Sequence, residues 1–154
     1  MSCAPHLHDL ARGTSGYPPL VPSIFSRIVA GEIPAHRLRE DDRFLAFLDV
    51  RPIRPGHSLV IPKEEIDHFF DLPDDMLADL MVFAKPVANA IREVTGAARV
   101  GCAVVGVEVP HAHLHLTPVD AVGDLDFRRA SEADQDDLAA MAERIRAVLG
   151  PLAA

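Results

Sequence analysis

Hydrophobic positions along this chain follow two periods, and the changes from one to the other mark out its elements. After Ser23, a favoured helix cap, Ile24, Phe25, Ile28 and Val29 form one apolar face that ends near Gly31, which predicts a short helix. Residues 36–40, 44–50 and 57–62 are short apolar runs separated by Asp41-Asp42 and by the proline-rich stretch 51–56, a pattern that predicts an antiparallel meander. Within the second run Leu45, Phe47 and Asp49 share one face while Phe44, Ala46, Leu48 and Val50 share the other, so burial on both faces is expected. From Asp74 to Thr95, Leu77, Leu80, Met81, Ala84, Val87, Ile91 and Val94 recur at helical spacing between Pro73 and Gly96. This is the expected main core helix, kinked where Pro86 removes a backbone hydrogen bond and crowds Val82.

Two further strands are expected over residues 99–105 and about 110–118, with Gly106 as the break between them. An acidic loop then spans 120–129, and Ser131 opens a last helix over 131–149 with Leu138, Met141, Ile145 and Val148 on its inner stripe. Strand runs joined by short connections, with helices segregated from them, point to an α+β fold built on an antiparallel sheet.

At 154 residues the chain has the size of one ordinary domain, read here as residues 22–154 with the last helix included. Residues 1–21 lack periodicity and are rich in Gly, Pro, Ser and His, so they are read as a loose arm. A formal charge of −8 with no basic patch argues against nucleic acid polymers and anionic membranes as partners. No run approaches the roughly 20 apolar residues of a spanning helix, and the first twenty residues do not read as a secretory signal. Cys3 and Cys102 make no disulfide framework, so a cytoplasmic location is expected. His6 and His8 belong to the solvated arm, and His36 and His68 read as surface residues.

The chemistry concentrates in Pro110-His111-Ala112-His113-Leu114-His115-Leu116, where histidines alternate with apolar residues. On a strand all three rings project from one face, with Cα atoms about 6.6 Å apart. Three imidazoles on one sheet face make a poor structural core, because each ring nitrogen needs a partner. Two chemistries use such a face. Three neutral imidazoles with an open fourth position make a hydrolytic zinc site. Alternatively, one imidazole attacks an electrophilic phosphorus while its neighbours stabilise the phosphate oxygens. Spacing alone does not choose between them, although the zinc case lacks a nearby carboxylate at a clear supporting position other than Asp120 or Asp124 folding back.

The triplet and four segments before it resemble the histidine-triad family. Those segments are Ser23-Ile24-Phe25, Gly31-Glu32-Ile33-Pro34-Ala35, Leu45-Ala46-Phe47-Leu48-Asp49 and Pro55-Gly56-His57-Ser58-Leu59-Val60-Ile61-Pro62-Lys63. The likeness runs from about Ser23 to Pro118, and five ordered blocks are far more specific than one. It implies a sheet of about five strands with a long core helix and a short N-terminal helix, to which this chain adds a C-terminal helix. It implies a homodimer, no cofactor or metal, and a nucleotide held between the triad strand and the first helix.

The implied reaction is hydrolysis or transfer at the α-phosphate of a nucleoside phosphoramidate or related (di)nucleotide. In that scheme His113 is the nucleophile that forms a nucleotidyl-histidine intermediate, and His115 contacts the phosphate oxygens or aids the leaving group. His111 and His57 hold the nucleophilic ring in its unprotonated tautomer. Asp49 would accept hydrogen bonds from the ribose hydroxyls, though a strand-end turn would use it equally well. Phe25, Ile28, Ile33 and Phe47 would enclose the base, and the same four also suit plain core. Glu108 completes the expected substrate-binding set.

The departures from the family pattern bear on substrate. Gly106-Val107-Glu108-Val109-Pro110 has Val107 where many active relatives carry a glutamine, so an amide donor is missing. Val100 stands near a usual asparagine, and Glu65 replaces a usual histidine. A nucleotide-binding or scaffold protein with little catalysis is therefore the alternative, and a zinc hydrolase on the three histidines is the third reading.

Overall fold

The computed structural model describes residues 21–150. The expected arm, with Cys3, His6 and His8, lies outside the described residues except for Val21. Ser23 caps the first helix through its hydroxyl, which accepts the Ser26 N–H, and the helix α1 then runs Ile24–Val29. Strands β1 (Arg37–Glu40), β2 (Phe44–Leu48) and β3 (Ser58–Pro62) follow as the anticipated meander. The long helix α2 spans Asp74–Thr95 and ends on Gly96 at φ 70°, a left-handed cap. It continues through Pro86 as one element. Strands β4 (Arg99–Ala103) and β5 (Leu114–Val119) complete a five-stranded antiparallel sheet of order β1-β2-β3-β5-β4. A last helix, α3, covers Gln135–Leu149.

Alternation along the strands sorts side chains to two cores. Phe44, Ala46 and Leu48 of β2, Val60 of β3 and Leu114 and Leu116 of β5 pack with α2 and α3. Leu45, Phe47, Leu59 and Ile61 face the other way and pack with Phe25 and Ile28 of α1. All five residues of β2 are buried, which explains why it reads as a continuous apolar run.

Three expectations need correction. The triad strand begins at Leu114 and not near Pro110, because its ladder with β3 stops at Val60↔Leu114 and the Ala112 N–H is taken at 2.7 Å by the Ile66 carbonyl, beyond the end of β3. The last helix is capped by Asp134 and not by Ser131, since the Ser131 and Ala133 N–H groups are drawn onto the Pro52 and Val50 carbonyls. Its buried stripe is Leu138, Ala142 and Ile145, while Val148 is exposed. The acidic segment after β5 forms two short 3-10 turns, Val122–Leu125 and Phe127–Arg129. Arg54 clamps that segment through Asp120 at 2.9 Å and Asp124 at 2.7 Å. Among the described residues no helix is long and apolar enough to cross a membrane.

Candidate active site

Although only His115 lies in the β5 ladder, the three histidines keep a common side of the chain. Ala112, Leu114 and Leu116 turn toward α2, which leaves the intervening rings to the α1 side. There Phe25 meets the His111 and His113 rings edge to face, with centroids 5.8 and 5.2 Å away. His113 and His115 are themselves 4.9 Å apart in the same arrangement.

The hydrogen bonds fix which nitrogen of each neutral ring carries its proton. His113 Nδ1 lies 2.7 Å from the His111 carbonyl, and a carbonyl only accepts, so Nδ1 holds the hydrogen and Nε2 keeps the lone pair. His111 Nε2–H donates to the Pro62 carbonyl at 2.8 Å, which leaves its Nδ1 to accept from Ser23 Oγ at 2.8 Å. On the other side, the Ile53 N–H donates to His57 Nδ1 at 3.1 Å. His57 Nε2–H therefore donates to His115 Nδ1 at 3.0 Å, and the remaining Nε2–H of His115 is a donor.

Burial favours the uncharged rings. It pushes His57 down to about 4, and burial together with the charges of His113 and His57 takes His115 down to about 3. Burial also lowers His111, against the opposing pull of the Pro62 carbonyl and Glu65. Asp49 sits just past β2, where burial raises its carboxyl although Oδ1 accepts the Arg51 N–H at 2.8 Å. Its Oδ2 is 3.8 Å from His57 Nδ1, but a neutral ring whose Nδ1 already accepts a hydrogen makes no ion pair there.

Phe25, Asp49, His57, Glu108, His113 and His115 line a cavity of about 370 Å³, at the lower end of the range for small-ligand sites. His111 stands behind it, fully buried. Ile28 and Phe47 are buried beneath Phe25, and Ile33 is half-buried against the same cluster, so these three support the apolar wall from outside the cavity lining. Val107 lines the cavity and is 84% exposed, whereas Val100 packs toward α2 and away from it. Among the wall residues that were not anticipated, one touches the histidines from the far side. Phe127, from the second 3-10 turn, lies edge-on to His115 at 4.9 Å and close to His57 at 6.3 Å.

The zinc reading loses its ligands in this arrangement, because both nitrogens of His111 are already bonded. The tightest group of ligand types among the described residues is Asp49, His57 and His115, within 4.8 Å of one another. There too a ring is spent, since His57 accepts through Nδ1 and donates through Nε2.

The model of the HIT domain matches residues 30–122. An uncharacterized HIT-like protein of Methanocaldococcus jannaschii is 36% identical over 99 residues, covering 62% of this chain and 77% of that protein. The adenosine 5′-monophosphoramidase of Saccharomyces cerevisiae is 38% identical over 96 residues, covering 62% of this chain and 61% of the yeast enzyme. A HIT-like protein from Bartonella henselae superposes with a TM-score of 0.73 at 27% identity, covering 82% of this chain and 95% of that one.

Proposed function

This chain belongs to the HIT family, and on that footing we propose that it is a nucleotide hydrolase or transferase acting at the α-phosphate of nucleoside phosphoramidates or related (di)nucleotides. The observation that carries this reading is the 2.7 Å bond from His113 Nδ1–H to the His111 carbonyl, which leaves Nε2 as a nucleophilic lone pair. That lone pair attacks the α-phosphorus, the phosphorus–nitrogen bond breaks with its electron pair on the amine, and the amine leaves with a proton from solvent. Water then attacks the nucleotidyl-His113 phosphorus and gives up a proton to solvent, and the bond to Nε2 breaks to return the pair to the ring.

His115 acts in this scheme as a neutral hydrogen-bond donor, because a ring that takes up its second proton only at about 3 is uncharged at neutral pH and has no imidazolium proton to give. His57 fixes its tautomer. The ribose hydroxyls are received by Asp49, and the base lies against Phe25, which is backed by Ile28, Ile33 and Phe47. Glu108 borders the same cavity, where its charge helps hold the Asp49 carboxyl up. A homodimer is part of the proposal, with β4 at the open end of the sheet available to a second copy.

Trapping the enzyme with a nucleoside phosphoramidate and mapping the adduct by mass spectrometry tests the reading. The nucleotidyl group should sit on His113, turnover should survive dialysis against a strong chelator, and His113→Ala should fold, bind a nucleoside monophosphate and turn over nothing. Full activity in that variant overturns the scheme. One observation favours a second reading, nucleotide binding with little turnover: Val107 gives the cavity wall an apolar side chain. Calorimetric binding without cleavage of any phosphoramidate or dinucleoside polyphosphate would select it.

A further inference from the structure

Glu65 lies three residues beyond the end of β3, outside the cavity lining, and its carboxylate is used in an unusual way. Its Oε2 accepts the Ser23 N–H at 2.9 Å and the Ser26 hydroxyl in a short hydrogen bond. Among the described residues no Lys or Arg pairs with it, and the neighbouring Lys63 is engaged by Glu40 at 2.9 Å. The carboxylate is thus spent on the first turn of α1. Its carboxyl is held below the usual range, because the bonds from Ser26 and Ser23 outweigh the effect of burial.

That turn is tied to the histidines by two routes. Ser23 Oγ accepts the Ser26 N–H at 3.0 Å, and its single proton goes to His111 Nδ1 at 2.8 Å, the nearer of two acceptors, Ser26 Oγ standing at 3.3 Å. The opposite nitrogen of His111 is held by the carbonyl of Pro62, in the same short segment as Glu65. Residues 62–65 therefore grip the His111 ring directly on one side and through Ser23 on the other, and the His111 carbonyl is the acceptor that sets the His113 tautomer. The second route is steric. The turn carries Phe25, whose ring abuts His113 with centroids 5.2 Å apart.

We propose that Glu65 is a positioning residue for the His113 nucleophile, acting through Ser23 and Ser26 at the start of α1 and through the ring and carbonyl of His111. This rests on the reading of His113 as nucleophile. The carboxylate acts as a paired acceptor, so an amide oxygen at the same place preserves most of the effect while a methyl group does not. A displaced near-attack geometry is costly, and shifts of about 1 Å lower rates by up to about a hundredfold.

The test compares the full-length wild type with Glu65→Ala, Glu65→Gln and Ser26→Ala. Steady-state kinetics on an adenosine phosphoramidate is read beside long-range ¹⁵N NMR of the histidine rings. Glu65→Ala should lower kcat by about ten- to a hundredfold with KM changed by less than about threefold. Its His113 signals should move from the Nδ1–H pattern toward a tautomer mixture, and Glu65→Gln should recover most of both. Ser26→Ala, which removes one of the two partners, should shift both readouts in the same direction by less and serves alone if Glu65→Ala does not fold. Wild-type kcat and unchanged His113 signals in Glu65→Ala or Ser26→Ala overturn the proposal, as does a Gln variant no better than the Ala variant. If wild-type protein cleaves no phosphoramidate the functional reading fails, while the NMR comparison still decides the relay.

Discussion

His57 Nε2 lies 3.0 Å from His115 Nδ1, and both rings are shielded from water. The Ile53 N–H fixes the direction of that bond, so two histidines share one neutral hydrogen-bonded chain that points a donor out of His115. Charging either ring breaks the chain.

The first prediction follows from this pair. In the unfolded chain both rings take up protons near pH 6.5, whereas folded His57 and His115 do so only at about 4 and 3. The stability they confer is therefore complete above about pH 6.5 and falls as the pH drops toward 4. Urea denaturation should show a loss on the order of 4 kcal/mol between pH 7 and pH 4.5, and His115→Asn should flatten that slope. An unchanged slope in the variant removes the pair as its origin.

Asp49 spends Oδ1 on the Arg51 N–H, and its Oδ2 makes no hydrogen bond among the described residues. Asp49→Asn should raise KM for a ribonucleoside phosphoramidate by roughly tenfold, the worth of a charged hydrogen bond. The 2′-deoxy analogue should lose much less. Equal losses on both substrates would assign Asp49 to the turn alone.

At Val107 the expected change is a gain. This side chain borders the cavity and is 84% exposed, so a longer polar residue can be placed there without disturbing the core. Val107→Gln should raise kcat by about tenfold or more by supplying a donor to the phosphate. A stopped assay at saturating substrate measures this directly, and an unaltered rate would place the loop away from the reacting phosphate.

Gly56, just before His57, has φ 96°, and a Cβ there would stand 2.9 Å from Thr95 Cγ2 and 3.6 Å from Ile91 Cγ2. Gly56→Ala should cost about 1–3 kcal/mol. By calorimetry Tm should drop by about 3–10 °C.

Much of this architecture is legible in the sequence because its signals are local. The Ser23 cap, the bounds of α2 and the alternation that sends Ala112, Leu114 and Leu116 to one side all follow from periodicity and capping. Where the strand of the triad begins depends on the Ala112 N–H being claimed by the Ile66 carbonyl, a partner that no window around His111 contains. The start of α3 moved for a similar reason, since Ser131 is a good cap whose N–H is claimed by a carbonyl 79 positions earlier, that of Pro52. Phe127 stood in an Asp- and Arg-rich stretch with no apolar period, and the Arg54 clamp, with the bonds of Ser131 and Ala133 to Pro52 and Val50, brings that segment onto His115. Glu65 read as a departure from a family pattern, while its bonds to Ser23 and Ser26 span some forty residues.

The stretch between β4 and β5 is the exposed wall of the cavity, with Val105 and Val107 in water on one side and the buried histidines opposite. Reactivity and selectivity are thus vested in parts of the molecule with different tolerance for change. Substitutions at Val104, Val105, Val107 and Glu108 can retune which compounds enter without taxing the fold, Gly106 being reserved by its φ of 70°, whereas the ring chain beneath is anchored in the core and resists drift. A library confined to that loop would explore substrate choice, and at Val107 the rate as well, above an unchanged chain of histidines.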